Sequence, residues 1–68
     1  MSTEEMVIEA LRNSAVSLTA GEVSERAGIS LPAALKCLEN LEAKGLAERR
    51  ERAGVTLYTV KGRRSGVI

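Results

Sequence analysis

Six of the ten cationic side chains in this 68-residue chain lie after residue 45: Arg49, Arg50, Arg52, Lys61, Arg63 and Arg64. Only two carboxylates accompany them, so residues 46–68 carry a net charge of +4. Residues 1–45 hold four basic and seven acidic groups, a net −3, and the whole chain sums to +1. Guanidinium and ammonium groups bind phosphate and carboxylate oxygens through charge-assisted hydrogen bonds. Gathered in one region, they point to a polyanionic partner more strongly than the near-neutral total does. The plainer reading is that the same arginines keep a strand edge soluble.

Other chemistries find little support. The chain has no His, which removes a His-based triad and any Cys/His zinc cluster. Its one Cys, Cys37, can form no internal disulfide and no metal set, and is expected to be a small buried hydrophobe. The glycines at 21, 28, 45, 54, 62 and 66 match no phosphate-binding spacing. The carboxylates are scattered, with no sign of a paired acid and base. Tyr58, the single aromatic residue, has no companion for stacking bases, which weakens an RNA or single-strand reading. No enzyme activity, cofactor, metal or small-molecule ligand is therefore expected.

At 68 residues there is room for one small domain with a modest core. The 44% hydrophobic and 28% charged content is that of an ordinary globular chain. No apolar run approaches a membrane span. Ser2-Thr3-Glu4-Glu5 is acidic where a signal peptide is basic, so a cytoplasmic location is expected. The Met start favours a complete small protein over an excised module.

The elements that must carry the cations can be read from local signals. Ser2-Thr3-Glu4-Glu5 is a capping box ahead of Val7, Ile8, Leu11 and Ala15, which predicts a first helix over about residues 3–13. Val16-Ser17-Leu18 is too short for a free strand and is expected to pair as a stub with something distant. Thr19 to Glu22 is a second capping box, opening a helix that turns Val23 and Ala27 inward and stops at Gly28. Ser30 starts a third helix with Pro32 in its first turn, ending at Lys44 before Gly45. Leu46–Arg52 and Val55–Val60 then read as an antiparallel hairpin closed at Ala53-Gly54. The fold class is thus α+β, mainly α: one domain over residues 1–62, then a basic flexible tail over 63–68.

Particular stretches of this plan resemble a winged helix-turn-helix. Leu18-Thr19-Ala20-Gly21-Glu22-Val23-Ser24-Glu25-Arg26-Ala27-Gly28-Ile29-Ser30 looks like the "l-t-x-x-e-l-a-e-x-x-g-l-s" pattern of its second helix and turn. Leu38, Leu41, Gly45, Leu46, Glu48 and Arg49 resemble the pattern that closes the third helix and opens the wing, and Tyr58-Thr59-Val60 the return strand. The match spans residues 3–62 and is similar to MarR-, ArsR- and IclR-type transcriptional regulators alike. That resemblance implies a small DNA-binding regulator, with the third helix in the major groove and the Arg-rich wing on phosphates or the minor groove. The partner is then double-stranded DNA, with a homodimer or partner protein adding affinity. With no separate effector domain in these residues, a regulatory signal would arrive through a partner, through abundance or through a further domain.

A 100° step around the third helix puts Ala34, Cys37, Leu38 and Leu41 on the core stripe, flanked by Leu31, Leu35 and Glu42. Pro32, Ala33, Lys36, Glu39 and Asn40 face outward, with Ser30 at the tip. Lys36 and Asn40 are the base- or phosphate-reading side chains there, and Pro32 and Ala33 can meet only thymine methyls. The expected DNA surface is therefore Ser30, Pro32, Ala33, Lys36 and Asn40, joined by Arg49, Arg50, Arg52, Lys61, Arg63 and Arg64. Strand alternation sends Arg50 and Arg52 to the face opposite Arg49. The poverty of polar groups on the helix leaves an alternative, a protein-docking module using Leu31, Pro32, Ala33 and Leu35 as an apolar patch.

Overall fold

The computed structural model describes residues 2–61. Helix α1 (Thr3–Arg12) starts where Ser2 accepts from the Glu5 amide at 3.1 Å and the Glu5 carboxylate accepts from the Ser2 amide at 3.2 Å. Helix α2 (Ala20–Ala27) repeats the device with Thr19 and Glu22, at 3.1 and 2.9 Å. Helix α3 (Leu31–Ala43) is capped by Ser30, with Pro32 in the first turn. Each cap satisfies amides that a helix start leaves without intrahelical partners.

The end of α3 matters because it aims the chain into the hairpin. Gly45 has φ +77°. Its amide donates to the Glu42 carbonyl at 3.0 Å, and the Leu46 amide donates to the Leu41 carbonyl at 2.8 Å. These two bonds are the pair of a Schellman motif, which needs a left-handed residue at that position. Strand β1 (Ala47–Arg52) then pairs antiparallel with β2 (Val55–Val60), from Ala47 opposite Val60 to Arg52 opposite Val55. The two-residue loop has φ +52° at Ala53 and +81° at Gly54, the positive pair that a type I′ hairpin turn requires.

The core gathers one stripe from each element: Val7 and Leu11 of α1, Val23 and Ala27 of α2, Ala34, Cys37, Leu38 and Leu41 of α3, then Leu18, Ala47 and Tyr58. Tyr58 joins the hairpin to the bundle. Its amide and carbonyl bond the Leu18 carbonyl and amide at 2.7 and 2.9 Å, so the expected stub pairs with the free edge of β2. Residue 58 thus turns both backbone groups away from β1, which makes Arg49–Tyr58 a non-hydrogen-bonded pair in the ladder, the kind with closer side chains.

Three positions depart from the sequence reading. Ala15 lies beyond the α1 cap at Asn13 and is exposed; Ala10, one turn before Asn13, fills the buried stripe instead. Ser14 is buried, its hydroxyl donating to the Val16 carbonyl at 2.7 Å, which shapes the bend into the stub. The tail predicted over 63–68, with Arg63 and Arg64, lies outside the described residues.

Candidate nucleic-acid interface

Burial divides α3 as the periodicity requires. Ala34, Cys37, Leu38 and Leu41 are sealed in the core, while Ser30, Pro32, Lys36, Glu39 and Asn40 are exposed and Ala33 is half-buried. Among the described residues the outward side of α3 is therefore largely exposed, with Ala33 half-buried. Leu31 and Leu35 are 46% and 41% exposed. They lie on the flank that also carries Glu42 and so do not form the centre of the outward face.

The hairpin sorts its cations by face. Ala47, Arg49 and Glu51 lie opposite Val60, Tyr58 and Thr56, the face turned to the helices. Glu48, Arg50 and Arg52 lie opposite Thr59, Leu57 and Val55, the outer face. The expected separation of Arg49 from Arg50 and Arg52 is present. On the outer face Arg50 and Arg52 join Val16, Ser17 and Leu57 around a shallow groove of about 240 Å³. Lys61 is exposed at the hairpin root, where its amide donates to the Leu46 carbonyl at 2.9 Å. It lies six residues along β2 from Val55, or about 20 Å at strand rise, so it cannot share a contact with Arg52.

Two partners were missed by reading residue types alone. Arg49 Nε is 3.6 Å from Glu42 Oε2 on α3, and Arg50 Nη2 is 3.6 Å from Glu48 Oε1 on its own strand. The Glu48–Arg50 pair was legible, because residues i and i+2 of a strand share a face. The Glu42–Arg49 pair depends on where the hairpin folds back, which no local signal reports. Arg52 has no ion-pair partner among the described residues. A further ion pair, Lys44 Nζ to Glu4 Oε1 at 2.9 Å, ties the end of α3 to the start of α1.

Cys37 is buried against the bundle, where desolvation pushes its thiol pKa up and the Glu4 carboxylate adds to the rise. It is held as a thiol, the form least able to act as a nucleophile. No group of His, Cys, Asp and Glu among the described residues is arranged to hold a metal ion. No described helix is long and apolar enough to cross a membrane.

Three helices, a bridging stub and a cationic hairpin beside an exposed third helix define a winged helix domain. The chain belongs to the family described as sugar-specific transcriptional regulator TrmB, which matches it over residues 2–62. No curated protein sequence matches it. Among solved structures it is similar to Lactococcus lactis ZitR in complex with DNA, with TM-score 0.77 and 23% identity over 91% of this chain and 43% of that one. Sso10a-2, a DNA-binding protein from Sulfolobus solfataricus, has TM-score 0.74 and 24% identity over 91% of this chain and 65% of its own. Human N-acetylserotonin methyltransferase has TM-score 0.78 and 18% identity, but the likeness takes in only 18% of that chain against 88% of this one. The chain thus spans less than two thirds of each of these structures, and at such identities the likeness is one of fold.

Proposed function

We propose that the chain binds duplex DNA through the outward face of α3 and the hairpin. Ser30, Pro32, Ala33, Lys36 and Asn40 meet the major groove, and Arg49, Arg50 and Arg52 meet the backbone or the adjacent minor groove. Lys61, Arg63 and Arg64 add positive charge that attracts the phosphate backbone. The observation that carries this reading is the pairing of an uncovered helix face with a cationic hairpin at its side, in a chain of a transcriptional regulator family. Lys36 and Asn40 are few for direct base reading, so affinity rests on phosphate contacts and specificity is modest. One copy offers little surface for DNA, and two copies on one duplex supply useful affinity.

A titration into random-sequence duplex tests this reading. Four phosphate contacts give a log–log salt slope of about −3.6, and Arg50→Ala with Arg52→Ala reduces its magnitude by about 1.8. Absence of binding at low salt would refute it.

A further inference from the structure

Arg49 stands apart from the other wing cations because its ion-pair partner lies on a different element, α3. Its backbone sits opposite Tyr58 in the closer kind of strand pair, and Tyr58 is anchored in the core. Its guanidinium meets Glu42 through Nε, the inner nitrogen, and the two Nη groups have no ion-pair partner among the described residues. The backbone of Glu42 is fixed, since its carbonyl accepts the Gly45 amide in the motif that ends α3. Both side chains remain partly open to solvent, Arg49 at 53% and Glu42 at 38%. The pair spans the joint between α3 and the hairpin, where a duplex backbone touching both must pass.

We propose that Glu42 is a positioning residue for DNA binding: by engaging Nε it holds Arg49 so that the Nη pair is presented as a preformed fork to one backbone phosphate at the joint. This rests on the duplex-binding reading above. A planar guanidinium can satisfy a carboxylate with one edge and a phosphate with another, which an ammonium cannot do. Preorganisation lowers the ordering cost of the contact and outweighs the repulsion between Glu42 and the phosphate. Glu39, on the exposed face of α3 with no ion-pair partner among the described residues, supplies only repulsion.

The test compares three variants on random-sequence duplex between about 50 and 200 mM salt, with thermal melts confirming that each is folded at the assay temperature. Simple electrostatics has every lost carboxylate tighten binding. Positioning reverses the sign at one site: Glu39→Ala tightens, whereas Glu42→Ala weakens binding roughly tenfold, the scale of one charge-assisted contact. The salt slope of Glu42→Ala also becomes shallower by about 0.9, one phosphate fewer. Glu42→Gln, which keeps a side-chain oxygen of the same reach beside Nε, stays within about twofold of the parent, well under the 1.4 kcal/mol of a tenfold change. The proposal is overturned if Glu42→Ala binds as tightly as the parent or tighter, if it weakens with an unchanged slope, or if Glu42→Gln falls with it. Failure of the parent chain to bind duplex at low salt would instead remove the underlying reading.

Discussion

The helical body and the hairpin are built on different terms. In the body each helix has a capped start and contributes a stripe to one core, with Val7, Leu18, Val23, Leu38 and Leu41 fully enclosed. The hairpin is enclosed only at its root, by Ala47 and Tyr58, and β1 is exposed from Arg49 onward. Beyond Tyr58 the ladder and the turn hold it without a core. Stability is thus concentrated in one region and net positive charge in the other. Substitutions should separate accordingly: those in the body cost folding, and those on the distal hairpin cost binding while folding is kept.

The largest effect is expected in the body. Leu38→Ala empties a fully enclosed site and should cost about 2–5 kcal/mol, enough to unfold much of so small a domain. Circular dichroism melts would show it. Tyr58→Ala tests the seam between the regions. Loss of a large buried ring should cost about 3 kcal/mol or more and free the hairpin root from Leu18. Faster hydrogen exchange at residues 18 and 58 would report that release.

At the distal hairpin, Arg50→Ala with Arg52→Ala should leave stability within about 0.5 kcal/mol, since both are exposed. A shift of the melting temperature by more than a few degrees would break the division between regions. Ala53 sits at φ +52°, strained for a residue with a Cβ. Ala53→Asn, the residue type favoured there, should stabilise by roughly 0.5–1 kcal/mol, a rise of a few degrees in Tm. The smallest effect concerns α2. A Cβ at Gly21 would meet nothing nearer than Thr19 Oγ1 at 3.9 Å. Gly21→Ala should therefore gain somewhat under 1 kcal/mol in denaturant titration, and the glycine is tolerated in that helix with no close approach to serve.

The same division explains what could be read from the sequence. The helices announce themselves through interactions spanning three or four residues: Ser2 with Glu5, Thr19 with Glu22, and the buried Ala34, Cys37, Leu38 and Leu41 one or two turns apart. Such signals are complete within a short window. The turn at Ala53-Gly54 and the parity that places Arg49 against Arg50 and Arg52 were legible for the same reason. Leu18 was recognisable as a stub in need of a partner, but the choice of Tyr58 comes from the path of the hairpin forty residues on. Glu42 and Arg49 meet for the same long-range cause. Ala10 and Ser14 were missed because small side chains signal burial weakly. Ser14 is further disguised by a hydroxyl that bonds the backbone and so can enter the interior.

The central claim is that one surface, made of the outward side of α3 and the hairpin, receives duplex DNA. Amide chemical-shift mapping of the labelled chain with random-sequence duplex tests it most directly. The expected result is a contiguous set of perturbed amides at Ser30, Ala33, Lys36 and Asn40 and from Arg49 to Gly54, with the amides of α1 quiet. Perturbations centred on α1, or none at low salt, would contradict it.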